Sequence, residues 1–256
     1  MANAPSSEVR RQRLRRILQT SGFASLGDLS ERLEVSESTV RRDLDSLEQS
    51  GDAKRTHGGV IWTGSAASMR VFRHQDDESL AAKRKIAVAA AALIEDHQTI
   101  FLDGGSTTYE LTRELVGRPL QVVTNSLPVA NLISSSQASD LILIGGMVDV
   151  RSGVTMGPIA DQNMRSLRVA NAFLSTAAIQ EDGYYNRHMM LVETERTMIE
   201  IADHTTIVAD SSKFGRSSLS RLCGLDAVDR LVTNENLAPT WKTRLSRASV
   251  DVVFAQ

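Results

Sequence analysis

The apolar residues of this 256-residue chain follow two rhythms, and the change from one to the other marks two structural regions. In the first fifty residues the rhythm is helical. Leu14, Ile17 and Leu18 share one face of the segment 9–20, Leu26, Leu29 and Leu33 share one face of 25–33, and Val40, Leu44 and Leu47 recur at i, i+4 and i+7 after Ser36. Each stripe must be buried against another element, so three short helices packed on one another are predicted. From residue 99 onward the apolar residues come instead in short runs, at 99–102, 120–123, 141–144, 172–174, 206–209 and 230–232, mostly separated by helical segments. That alternation predicts an α/β region with a mostly parallel sheet buried on both faces.

The polar residues around the third stripe carry the first chemical information. Ser36 is a good N-cap, and Ser36, Ser38 and Thr39 place three hydroxyls at the start of the helix, the end that reaches base edges and phosphates in helix-turn-helix proteins. Arg41 and Arg42 add forks suited to guanine edges or phosphate oxygens, and Ser38 and Arg42 lie opposite the apolar stripe. The connection at Glu34 and Val35 has helix-turn-helix length. Arg10, Arg11, Arg13, Arg15 and Arg16 give the first helix a basic solvent side able to lie along phosphates. After Gly51 stops the third helix, 54–61 reads as a small hairpin with Gly58 and Gly59 in its turn, where positive φ has little steric penalty. Lys54, Arg55 and His57 make that hairpin a basic wing. The expected DNA contacts are thus Arg11, Ser36, Ser38, Thr39, Arg41, Arg42, Lys54, Arg55 and His57, with Asp43 orienting a neighbouring arginine.

Composition narrows the setting. The formal net charge is −2, so the positive field is local to the helices and wing, which favours sequence-specific binding by an oligomer. A single cysteine, Cys223, rules out an intrachain disulfide and reads as a packed thiol. No run approaches 18 apolar residues and the N-terminus has no apolar signal region, so a soluble cytoplasmic protein without membrane contact is expected. Residues 63–68 are small and polar. The organisation expected is a winged helix-turn-helix over 8–62, a linker over 63–75 and a second domain over 76–256.

In that second domain the residues just after the apolar runs matter most, because the carboxyl ends of parallel strands line the ligand crevice of α/β folds. The first run leads into Asp103, Gly104, Gly105, Ser106, Thr107 and Thr108 and opens a helix, so backbone N–H groups, hydroxyls and the positive end of a helix converge where an anion binds. The loop has neither Walker A nor dinucleotide-fingerprint spacing. Thr124, Asn125, Gly145, Gly146 and Lys213 follow other runs and complete the expected pocket, with Gly145 and Gly146 equally readable as a tight turn. The five histidines are scattered, so no metal, cofactor or catalytic set is expected.

Residues 8–62 resemble the winged helix-turn-helix of the DeoR family of bacterial transcription regulators, through Ser36, Thr39, Val40, Arg41, Arg42, Asp43 and Leu44 and the wing His57, Gly58 and Gly59. Lys83 to Ala87, Asp103 to Thr108, Val123 to Ser126, Gly145, Gly146, Gly157, Glu193 to Ile199 and Asp210 to Gly215 extend the resemblance over nearly the whole chain. It implies a sensor domain similar in fold to ribose-5-phosphate isomerase, glucosamine-6-phosphate deaminase and CoA transferases. It further implies a regulator, commonly a repressor of carbohydrate-metabolism genes, whose partners are operator DNA and a phosphorylated sugar. Three places depart from the family: Glu34 stands where glycine or a small polar residue is usual, Asn234 follows Thr233 where aspartate is usual, and Glu195 stands where lysine is usual, so that either the ligand carries less negative charge or Arg196 takes over the cation's part if position 195 faces the pocket. The competing function, a sugar-phosphate isomerase or deaminase with an accessory domain, would need an acid and a base, for which Asp103 and Glu193 are the nominees.

Overall fold

All three helical stripes become helices: α1 (Ser7–Ser21), α2 (Leu26–Leu33) and α3 (Glu37–Gln49). They bury Leu14, Leu18, Leu29, Leu33, Val40, Leu44 and Leu47 in one cluster. The computed structural model describes residues 7–56, 58–63 and 77–256, which fall into two units, the first built on these helices and the second on the later sheet. His57 and nearly all of the 63–75 stretch lie outside the described residues.

Capping sets the helix boundaries. The Ser25 hydroxyl accepts from the Asp28 N–H at 3.1 Å, and Ser36 accepts from the Thr39 N–H at 3.4 Å. Between them Glu34 closes α2 in the left-handed conformation, φ 55° and ψ 41°. A residue with a Cβ pays roughly 1–2 kcal/mol there, so the tight turn of this chain is made at a cost glycine would avoid.

The wing is β2 (Ala53–Thr56) paired antiparallel with β3 (Gly59–Trp62), and β3 also pairs with β1 (Phe23–Ala24), a strand the apolar pattern did not reveal. Gly59 is not a turn residue. It lies within β3, and a Cβ on it would stand 2.4 Å from the Ala24 carbonyl oxygen, so close approach of β1 is what requires glycine.

In the second unit α4 (Asp77–Ala91) leads to β4 (Thr99–Leu102), α5 (Ser106–Leu115), β5 (Gln121–Thr124), α6 (Leu127–Ile133) and β6 (Asp140–Leu143). A hairpin, β7 (Met147–Asp149) and β8 (Val154–Met156), precedes α7 (Pro158–Met164) and β9 (Val169–Leu174). Next come β10 (Ala178–Gln180), β11 (Gly183–Asn186), α8 (Met189–Glu200), β12 (Ala202–Val208), β13 (Ser220–Cys223), β14 (Arg230–Asn234), α9 (Pro239–Arg247) and β15 (Asp251–Ala255).

Seven strands form one sheet in the order β15-β14-β12-β9-β4-β5-β6, every neighbour parallel. Alternate residues enter opposite cores: Phe101, Val123, Leu174 and Ile207 on one face, Ile100, Leu102, Val122, Phe173 and Val208 on the other. All six apolar runs are strands of this sheet, and β15 is a seventh that was not expected. Burial on both faces fails at the β6 edge, where Ile142 and Leu143 are exposed because an edge strand has a neighbour on one side only.

Candidate functional site

In the first unit, Ser36, Ser38, Arg41 and Arg42 are exposed at the start of α3. The Ser36 hydroxyl lies 2.9 Å from that of Ser38 and 3.0 Å from that of Thr39, so the three form one polar cluster at the helix N-terminus. Arg41 is 3.6 Å from Glu37, an exposed pair worth a few tenths of a kcal/mol. Arg42 has no hydrogen-bond or ion-pair partner among the described residues.

The basic side of α1 is smaller than its arginine count. Arg10 donates to both carboxylate oxygens of buried Asp43, at 2.5 and 3.1 Å, and Arg15 pairs with Asp52. Asp43 thus has the arginine partner expected of it, and the partner comes from α1, fixing α3 against it. Arg11 donates to the Ser7 carbonyl at 3.3 Å and stays at the surface. In the wing, Arg55 pairs with Asp45, lies 3.4 Å from Glu48 and donates to the Arg41 carbonyl, so it braces β2 on α3. The acidic second half of α3, Asp45 and Glu48, lies beneath it. Lys54 occupies β2, and His57 lies outside the described residues.

In the second unit the strand ends β14, β12, β9, β4 and β5 lie side by side, and polar residues follow each. Gly105 is the N-cap of α5. Its N–H donates to the Thr108 hydroxyl at 2.8 Å, and that hydroxyl donates back to the Gly105 carbonyl. The hydroxyls of Ser106 and Thr107 have no hydrogen-bond partner among the described residues, although Thr107 is buried. Glycine is required in this loop: a Cβ on Gly104 would stand 2.0 Å from Val154 Cγ1, and one on Gly105 would stand 1.7 Å from the Ser175 hydroxyl. The loop therefore sits wedged between β8 and the end of β9.

The remaining expected residues divide. Thr124 spends its hydroxyl inside the fold, donating to the Leu102 carbonyl at 2.6 Å and accepting from the Ser126 N–H, so it acts through the backbone it holds. Asn125 donates to the Thr155 carbonyl at 2.9 Å, and its Oδ1 is buried without a partner. Gly145 is exposed with open space around it. Gly146 has φ 155° and Ala160 3.0 Å from where a Cβ would stand, which fits the tight-turn reading of that pair. Lys213 is half-buried in a short 3-10 turn after β12 and pairs with no carboxylate among the described residues.

Sequence reasoning missed a buried chain of polar groups behind this loop. The Asp103 carboxylate accepts from the N–H and the hydroxyl of Ser175, at 3.3 and 3.2 Å. Asn186 on β11 donates to the Ser175 carbonyl and to both oxygens of Glu195 on α8, at 2.7 and 2.8 Å. Burial pushes Asp103 above the usual carboxylate range, against hydrogen bonds from Gly104 and Ser175. Burial, reinforced by the neighbouring charge of Asp103, pushes Glu195 well above it. The nominated pair Asp103 and Glu193 is not brought together: Glu193 is exposed and paired with Arg196. Arg196 also donates to the Leu222 carbonyl at 2.9 Å, so it has not replaced a cation at position 195. Nothing in the local pattern marked Asn186, since its role arises from contacts between β11, α8 and the end of β9. Cys223 is half-buried, and its thiol is pushed up to about 12 chiefly by burial, which keeps it protonated at neutral pH.

A capped, exposed helix with a wing beside it, and a separate parallel α/β unit with a polar strand-end loop, define a DNA-binding transcription regulator with a sensing module. The DeoR-like helix-turn-helix domain matches residues 10–65, and the DeoR C terminal sensor domain matches residues 78–235. The chain belongs to the DeoR family. It is 28% identical over 253 residues to the HTH-type transcriptional regulator UlaR of Escherichia coli O1:K1 / APEC, covering 95% of this chain and 97% of that protein. The UlaR of Salmonella arizonae is 29% identical over the same shares. Among solved structures, ribose 5-phosphate isomerase A from Methanocaldococcus jannaschii aligns with a TM-score of 0.40 and 19% identity over 54% of this chain and 55% of that one. The eIF2B beta chain from Chaetomium thermophilum aligns with 0.42 and 14%, over 88% and 66%. Likeness at those scores is too distant to bear on function. No helix among the described residues is long and apolar enough to cross a membrane.

Proposed function

We propose that this DeoR-family regulator acts in the cytoplasm as a repressor of carbohydrate-metabolism genes, and that a phosphorylated sugar bound in the second unit alters its hold on operator DNA. The 8–62 region reads the operator through Ser36, Ser38, Thr39, Arg41 and Arg42, with Arg11, Lys54 and His57 on the phosphates. The 63–75 stretch links it to a 76–256 domain that also makes the homo-oligomer needed to hold two half-sites. The observation that carries the ligand reading is the pair of unpartnered hydroxyls, Ser106 and Thr107, at the N-terminus of the ten-residue helix α5. Free N–H groups and the helix dipole add to them, and Lys213, unpaired at a neighbouring strand end, supplies the cation. Two relatives named as transcription regulators over nearly their whole length favour this reading over a catalytic one.

A thermal-shift screen of sugar phosphates against their unphosphorylated parents tests it. A phosphorylated sugar at ~100 times its dissociation constant adds about 2.7 kcal/mol of stability, which for a chain of this size raises Tm by roughly 5–11 °C. The parent sugar gives no comparable rise. Equal shifts from parent and phosphate, or none from any phosphate, count against the site.

A further inference from the structure

The groups gathered behind the 103–108 loop include two buried carboxyl groups that no cation meets among the described residues. Asp103 and Glu195 are 2% and 1% exposed, and among the described residues no lysine, arginine or histidine pairs with either. They are tied into one network through Ser175 and Asn186. Two further buried acceptors at adjoining strand ends have no donor at all: Asn125 Oδ1, and Asp210 Oδ2 at the end of β12. The Asn125 amide nitrogen is held by the Thr155 carbonyl on β8, the strand whose Val154 side chain packs at Gly104. Buried acceptors without donors cost about 1–3 kcal/mol each, and a buried carboxylate without a cation costs more. A ligand that brought only an anion to this place would add charge of the same sign. One that brings hydrogen-bond donors and a positive charge relieves both penalties.

Resting on the sugar-phosphate reading above, the geometry points to an effector that is an amino sugar phosphate. Its phosphate meets Ser106, Thr107 and Lys213, and its ammonium group is received by the Asp103 and Glu195 carboxylates, with Asn125 Oδ1 as a further acceptor. The amine is the specificity element. Glu195 takes the place from which a lysine or arginine would have drawn a second anionic group, and Arg196 is committed to Glu193 and the Leu222 carbonyl.

Isothermal titration of the full chain with three matched probes tests this: glucose 6-phosphate, glucosamine 6-phosphate and N-acetylglucosamine 6-phosphate, repeated with galactose 6-phosphate and galactosamine 6-phosphate. In at least one series the amine binds ten-fold or more tighter than its hydroxyl counterpart, and in the glucose series also than its acetylated one. Glu195→Gln, which keeps the size and one of the two acceptors that Asn186 meets, brings that advantage to within about twofold while the hydroxyl sugar phosphate binds as before. The melting temperature of the ligand-free variant confirms that it is folded. Amine and hydroxyl probes binding alike in wild type, or an amine preference that survives Glu195→Gln, overturns the amine assignment and leaves the phosphate reading standing. Binding of none of these phosphates, with no sugar phosphate active in the thermal screen, overturns both.

Discussion

The two units differ in how they hold buried carboxyl groups. In the DNA-binding unit the buried carboxylates Asp43 and Asp52 are neutralised by Arg10 and Arg15, Arg55 pairs with Asp45 at the surface, and Arg42 is left free on the outer face. In the sensor unit, carboxylates are drawn inside without cations, as in Asp103 and Glu195, next to unpartnered hydroxyls. Such pairs make a rigid scaffold that presents a few free cations to a polyanion. Buried uncompensated groups make a place that is incomplete until something else arrives. The first arrangement suits constitutive recognition and the second suits a switch, since a ligand shifts an equilibrium only by binding one state better than the other.

The largest effect expected from breaking this contrast lies in the 103–108 loop. Gly105→Ala puts a Cβ into the Ser175 hydroxyl, 1.7 Å away, so the loop or the β9 end must move. Overpacking of that kind costs about 1–3 kcal/mol, read as a lower urea midpoint, and ligand-induced stabilisation disappears with it. A wild-type midpoint together with an intact ligand response would show that the wedge is not tight.

In the other unit, Arg42→Ala removes a free cation without disturbing any bond of the fold. Operator affinity falls by ~1–3 kcal/mol if Arg42 reads a base, specificity relaxes at one base pair, and thermal stability is unchanged. Arg11→Ala instead weakens all sequences alike and flattens the salt slope by about one unit. Fluorescence anisotropy on operator variants at several salt concentrations separates the two. An Arg42→Ala protein with wild-type affinity would move the reading face elsewhere on α3.

A smaller effect sharpens the sensor side. With its folded value raised above the ordinary 4.5, ligand-free Glu195 keeps its proton over a pH range in which the unfolded chain has already released it. Its contribution to stability is therefore full below about pH 4.5 and declines as pH rises through the folded value. Glu195→Gln has no such proton to lose, so its stability relative to wild type grows with pH across that window. Denaturation at a series of pH values gives the difference, and a pH-independent one would mean that Glu195 is ionised in the fold.

The same contrast explains what could be read from the sequence. The recognition helix was legible because its evidence is local: a cap at Ser36, an apolar stripe at Val40, Leu44 and Leu47, and arginines opposite it. The six apolar runs named six of the seven strands of the main sheet, and the loop from Asp103 to Thr108 stood out by glycine, hydroxyl and helix start together. What stayed hidden was non-local. Pairing consumed Arg10, Arg15 and Arg55, which look free in a one-dimensional reading. Thr124 turned inward to hold Leu102. Asn186 and Glu195 acquired meaning only when β11 and α8 brought them behind Asp103, whereas β15, with an apolar run from Val252 to Ala255 as long as those of the other strands, was open to the same reading and was passed over.

The central claim is that the loop at Asp103–Thr108 governs a response expressed on DNA by a separate unit. Gel-shift titration of operator with wild type, Thr107→Ala and Lys213→Ala, each with and without the sugar phosphate selected by the thermal screen, tests it most directly. Each substitution removes an interaction with a charged group, roughly 1.5–3 kcal/mol, so effector affinity falls about ten- to a hundredfold while operator binding without effector stays within about twofold of wild type. An effector response unchanged in both variants, or operator binding lost in the absence of effector, would contradict the account.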